Sequence, residues 1–264
     1  MSAPAQTLLG HLATVRAERA KRRLGEGLAD AVRRVKHYQQ RRFSHSYADL
    51  LASTRYRPAA QFFLDELYGP RDFTRRDAQF ERVVPALVRL FPAAIVATVA
   101  TLAELHGLSE QLDSAMAEQL AAGAAASPPE IDAVAGRPEI GAVAPPPEID
   151  AAAYARAWQA SATPAQRERQ IALTLEVGAS LDRLTANVLV RNSLRLMRGP
   201  AWAAGLGELQ TFLEAGFETF RAMHGAQEFL GFVDAREHRL CAALFGADPH
   251  RLTPAVRDLL PPPP

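Results

Sequence analysis

The sequence predicts an all-α protein, a multi-helix bundle that carries a long disordered Pro/Ala-rich insertion. Three observations predict it. Apolar residues recur at the three- and four-residue spacing of amphipathic helices along almost the whole chain, and no stretch shows the apolar/polar alternation of a strand. The segment "SPPEIDAVAGRPEIGAVAPPPEIDAAA" repeats Pro-Glu-Ile at 129, 138 and 147. Each copy is too short and too proline-rich to bury anything.

Each element can be justified in turn. Leu8, Leu12 and Val15 form a first stripe; Leu24, Leu28, Val32 and Val35 form a second across the Gly25/Gly27 interruption. A short helix is expected from Ser46 to Ala52. The next begins near Pro58, whose missing N–H would be unpaired in a first turn anyway. It stops at Gly69-Pro70. Thr74 with Asp77 three residues on reads as a capping box. Phe80, Val84, Val88 and Phe91 share one face of the helix that starts there, and Pro85 is expected to kink it. Pro92 opens a long helix through Val99, Leu102, Leu105, Leu112 and Met116.

Beyond the insertion, Thr163-Pro164 with Gln166 caps a helix running through Ile171, Leu184 and Leu196 to a stop at Gly199-Pro200. A further helix starts at Trp202 and carries Leu209, Phe212, Phe217 and Phe220. Another carries Phe229, Val233, Leu240 and Leu244 and closes at Gly246. Thr253-Pro254 starts a last short helix, and the terminal "PPPP" is a frayed end. The organisation expected is an N-terminal helical half at 1–122, a flexible repeat linker at 123–150 and a C-terminal helical half at 151–260, the halves packed as one bundle.

Composition narrows the classes of function. The chain is 48% hydrophobic and 22% charged, ordinary for a globular protein. No apolar run reaches the roughly 18 residues of a membrane span, and the N-terminus lacks the order of a secretory signal. A lone Cys241 excludes an internal disulfide and a multi-cysteine metal site. A cytoplasmic protein is expected. The net charge of +1 is unevenly placed: residues 1–57 hold 12 Lys/Arg against 4 Asp/Glu. Such a segment can meet nucleic acid or another anionic surface, or dock on the acidic remainder of its own chain.

No motif for a known chemistry is present: no phosphate loop, no dinucleotide fingerprint, no H-E-x-x-H and no C-x-x-C. No catalytic residue is assigned. Four features could bind. Tyr68, Arg71, Arg75 and Arg76 could clamp an anion at the helix start near Thr74, where free N–H groups and the dipole favour negative charge; Asp65, Glu66, Asp72 and Asp77 could equally neutralise them as an internal corner. His106 falls on an apolar stripe, where a satisfied core histidine is the plain reading. His224 with Glu228, and Asp234 with His238, are acid/histidine pairs one turn apart that could hold a metal or tune a base. Finally, Arg16 to Arg42 holds ten basic and three acidic residues, with Tyr38 and Phe43 near its end.

Two resemblances follow from these residues. "FFLDELYGPRDFTRRDAQF", residues 62–80, resembles a motif of uncharacterised bacterial proteins of unknown function, FFL-x-x-LYG-x-x-D-x-x-x-RD. That resemblance implies a bacterial origin and an all-helical fold, and no activity. "VATLAELHGLSEQLD" resembles the globin helix that carries the iron-ligating histidine, which would make His106 a haem ligand.

The function expected is that of a non-enzymatic helical binding or interaction protein without a cofactor. Its partner would be another protein, a second copy, or a small apolar or anionic ligand. The alternative is a haem or metal protein using His106 or His224/His238. A second alternative is a nucleic-acid or anionic-surface binder using the basic N-terminal helices.

Overall fold

The computed structural model describes residues 3–25, 27–67, 74–90, 93–126 and 148–263. Among them every regular element is helical: α1 (Ala3–Leu24), α2 (Leu28–Ser46), α3 (Ala48–Ala52), α4 (Arg57–Phe62), α5 (Thr74–Leu90), α6 (Ala93–Ala126), α7 (Ala151–Ser161), α8 (Pro164–Thr185), α9 (Val188–Ala203), α10 (Gly207–Ala222), α11 (Gln227–Gly246) and α12 (Pro254–Arg257). A single π-helical turn, Phe63–Leu67, continues α4.

Helix α6 is the axis. It runs 34 residues and packs against α1, α2, α7 and α8, so nearly every face of its middle section is covered. A helix apolar around most of its circumference is a buried helix, and its Ala- and Leu-rich sequence answers to that. Gly107 lets α1 come close: a Cβ there would lie 3.3 Å from the His11 carbonyl oxygen.

The cores join segments from both sides of residues 127–147. Val35 and Tyr38 of α2 pack with Met116 of α6, Tyr154 and Trp158 of α7, and Leu240 and Leu244 of α11. Phe43, Tyr47, Tyr56 and Phe63 pack with Phe220, Phe229 and Val233. Smaller clusters seat α1 on α5 and α6 through Leu8, Leu12, Val84 and Ala103, and α6 on α8 through Leu105, Leu173 and Val177.

Several boundaries differ from those expected. Ser46 ends α2 and the short helix starts at Ala48. Leu24 is 88% exposed at the end of α1 instead of extending a stripe; the chain then turns at Gly27, whose φ of 73° suits glycine. The Asp77 side chain turns inward to meet His106, Arg19 and Arg76. Helix α5 continues through Pro85 to Leu90.

The single helix expected from Thr163 to Gly199 is two. Asn187 interrupts it and caps α9 by accepting a hydrogen bond from the Leu189 N–H at 2.9 Å. Helix α9 then runs through Gly199-Pro200 to Ala203, so Trp202 ends one helix instead of starting the next. The edges of the 123–150 segment are ordered into the fold: Ala126 is the last residue of α6, Ile149 packs on the core, and the Asp150 side chain caps α7 at 2.7 Å from the Ala153 N–H. The rest of that segment, and Asp72, lie outside the described residues. The first of the terminal prolines are tied to the fold: Leu260 and Pro261 are buried, and Arg41 donates to the carbonyl of the exposed Pro262.

Candidate functional site

Of the anion-clamp candidates in residues 62–80, the structure places two, and they point to different sides. Tyr68 and Arg71 lie outside the described residues. Arg75 is 81% exposed and reaches outward to Glu208 of α10, with Nε 3.2 Å from the carboxylate. Arg76 turns inward. Its guanidinium lies between Glu66 and Asp77, at 3.4 Å from each, and 4.5 Å over the ring of Phe212. The two arginines therefore do not converge on one anion. Asp77 instead joins Arg76 to His106, whose Nε2 lies 2.9 Å from Asp77 Oδ2, and Arg19 Nη2 reaches the same oxygen at 2.8 Å.

This cluster forms one wall of a cavity of about 130 Å³ enclosed by α1, α2, α5, α6, α8 and α10. Phe80, Leu102, Phe212 and Leu213 supply an apolar side. The polar side descends α6 one turn at a time through His106, Ser109, Glu110 and Asp113, faced by Lys36 and Gln39 from α2 and Gln170 from α8. An approximate 3.6-residue repeat puts 106, 109/110 and 113 on the continuation of the Leu102–Leu105 stripe, so the helix face that is apolar above becomes charged below.

Burial governs the electrostatics. It would raise the Asp77 carboxyl, but the hydrogen bond to His106 and the charges of His106, Arg19 and Arg76 hold it at about 2. Glu110 is buried too and is likewise held at about 2, by Lys36 Nζ at 2.7 Å and by Arg22. Asp113 goes the other way. Its burial, with the Glu110 charge one turn away, pushes it above the usual carboxylate range, against Lys36 and the Gln39 amide, which donates to Oδ1 at 3.1 Å. Two carboxyls one turn apart thus hold their protons very differently.

The basic N-terminal stripe is largely matched within the chain. Arg16 meets Glu81, Arg22 and Lys36 meet Glu110, Lys21 meets Glu118, and Arg42 meets Glu237 of α11. The other histidine candidates lie apart from the cavity. His224 sits in the turn after α10 with φ 54°, while Glu228 serves Arg55 and Tyr56. His238 bridges Asp234 and Glu168 on the surface, at 2.8 and 2.9 Å. Among the described residues no group of three His, Cys, Asp or Glu side chains could hold a metal ion. The Cys241 thiol is buried and raised by that burial to about 11, which makes it a poor nucleophile.

Reading from sequence missed Glu110, Asp113, Lys36, Gln39, Gln170 and Arg167. The signal was present for two of them: Glu110 and Asp113 interrupt an otherwise apolar stripe. The others are brought in by α2 and α8, which no local pattern orients.

No helix among the described residues is long and apolar enough to cross a membrane. No curated protein and no solved structure matches the chain. A family model described as "Domain of unknown function (DUF8198)" matches residues 18–251.

Proposed function

The chain belongs to the DUF8198 family, and from that premise we propose that this member is a non-enzymatic helical protein that binds a small organic molecule in the cavity beneath α5 and α10. The observation that carries the reading is the cavity wall: aromatic and aliphatic side chains on one side, a few converging polar groups on the other, the usual make-up of a small-molecule site. Its volume is close to that of an engineered apolar cavity of about 150 Å³ that admits benzene. Binding without turnover is supported by the charges. The cavity-facing carboxylates Glu66, Asp77 and Glu110 are engaged by Arg76, Arg19, His106, Lys36 and Arg22. A haem ligand at His106 would have to release its Nε2 from Asp77.

The test is a thermal-unfolding series with neutral one-ring compounds such as benzyl alcohol, on the wild type and on Leu102→Trp, which fills the cavity. A ligand that binds only the folded state raises the midpoint with concentration. The midpoint should rise in the wild type and stay flat in Leu102→Trp. A flat wild-type series, or equal shifts in both proteins, would overturn the reading.

A second reading rests on a separate observation. Leu189, Leu196 and Trp202 of α9 are 74%, 82% and 62% exposed, with Val188 and Met197 beside them. They offer on the order of 500 Å² of apolar surface, more than a single stray side chain explains and approaching half of a standard interface once flanking residues are added. Arg195 and Arg198 beside them are matched by Glu218 and Glu214 of α10. We propose a second copy of the chain as the occupant, because Leu189 and Leu196 are spaced by seven residues and can interdigitate with the same stripe across a two-fold axis.

A further inference from the structure

Behind the polar end of the cavity lies a cation without an ionic partner. Arg167 of α8 is 2% exposed, yet among the described residues no carboxylate makes an ion pair with it, and its Nε and Nη2 have no hydrogen-bond partner. Its guanidinium lies 3.8 Å over the Trp158 ring. Its one hydrogen bond runs from Nη1 to Gln170 Oε1 at 3.3 Å, at the long end for an N–H···O contact. The neighbouring Trp158 Nε1 and the Tyr154 hydroxyl are also buried without a partner, and Tyr154 packs on Trp158 with centroids 5.9 Å apart. A buried charge left unpaired is strongly unfavourable, and buried polar groups are nearly always satisfied.

Gln170 connects this group to the cavity. It lines the cavity wall, accepts from Arg167, and donates from Nε2 to Ser109 Oγ at 2.9 Å. The charges around the cavity make the same point. Arg19, Arg22, Lys36 and Arg76 each have a carboxylate within ion-pair distance. Asp113, the carboxyl whose field Arg167 feels, is the one that burial pushes toward its protonated form. Arg167 is therefore the charge left over.

We propose that the ligand of this cavity is a small organic carboxylate, whose acid group is received by Arg167 and Gln170 while its apolar body lies against Phe80, Phe212 and Leu213. This rests on the cavity being a ligand site. The carboxylate displaces the Gln170 amide oxygen at Arg167 Nη1 and reaches the adjacent unpartnered Nη2 as the second arm of a bidentate pair; the Gln170 amide turns and donates to it. The exchange replaces a long contact to a neutral amide oxygen with an ion pair to an anion, which also balances the buried charge. The apolar wall excludes inorganic anions by offering them nothing to bury, and the guanidinium discriminates against a cationic head group.

The experiment compares benzoate, benzyl alcohol, benzylamine and inorganic phosphate in thermal-unfolding titrations of the full chain, wild type, Arg167→Met and Arg167→Lys. Benzoate should bind the wild type at least about tenfold more tightly than benzyl alcohol, the size of a charged hydrogen bond. Benzylamine and phosphate should give no shift. In Arg167→Met the preference for benzoate should vanish while the benzyl alcohol shift remains, which shows the variant is folded and its cavity intact. Arg167→Lys should keep part of the preference if Arg167→Met fails to fold. Equal affinities for benzoate and benzyl alcohol in the wild type would overturn the carboxylate assignment and leave the cavity reading standing. No shift from any compound would overturn both. A shift from phosphate equal to that from benzoate would overturn the organic part.

Discussion

Asp77 accepts from His106, Arg19 and Arg76, and so ties α1, α5 and α6 together at the cavity wall. Truncating one member of a buried ionic cluster leaves the others uncompensated, so Asp77→Ala should destabilise by on the order of 3 kcal/mol in denaturant titration. The pH dependence carries the same signature. Asp77 and Glu110 titrate at about 2 when folded, below their ordinary values of 3.8 and 4.5. Their contribution is therefore present above the ordinary carboxylate pKa and is lost as pH falls from about 5 toward 2. Asp113 is raised and acts in the opposite sense: its contribution is present at low pH and lost as pH rises through its folded pKa. Asp113→Asn keeps an acceptor for Gln39 and removes the ionisation. Its unfolding midpoint should exceed that of the wild type at pH 8 and converge with it near pH 3. A lower midpoint at both pH values would show that the Asp113 charge is needed.

At the scale of the element, side-chain caps mark the starts of α7, α8 and α9, at Asp150, Thr163 and Asn187. Thr163 and Gln166 form a complete capping box: the Thr163 hydroxyl accepts from the Gln166 N–H at 3.3 Å and the Gln166 side chain returns to the Thr163 N–H at 2.9 Å. Thr163→Ala should cost about 1 kcal/mol, and urea denaturation measures it; no loss would mean that packing of α8 alone sets its start. The α8/α9 break was equally marked by Asn187, but the spacing of Leu181, Leu184 and Val188 runs across it and suggests one continuous helix. Pro200 sits in the last turn of α9, where it removes the N–H that would reach the Leu196 carbonyl and crowds that carbonyl with its ring. Leu196 is exposed, so water can take the missing donor's place.

For the whole molecule, the exposed stripe of α9 and the buried cavity are independent features with independent tests. Size-exclusion chromatography with light scattering should report twice the 28.7 kDa chain mass at tens of micromolar, and Leu196→Glu should return it to the single-chain mass with its thermal midpoint unchanged. A wild type that stays at the single-chain mass across the concentration range would overturn pairing through α9. The cavity reading would be untouched, since Leu196 does not line it.

Periodicity was enough to establish the all-helical class, because a helix face is a local property written every three or four residues. The cap at Thr163, the start of α12 at Thr253-Pro254 and the end of α11 at Gly246 were legible because each is written in a few neighbouring residues. The proximity of Arg76 and His106 was not legible. It depends on Asp77, a residue that local reasoning assigned to a cap and that packing turned inward to meet α1 and α6. Arg167 shows the limit most plainly. In the sequence it is an ordinary arginine in the first turns of a polar-looking helix. Only the seating of α8 on α6 and α7 buries it against Trp158 and behind Gln170. Burial, and with it the value of a charge, is set by what the rest of the chain places around a residue, and no pattern along the chain encodes that.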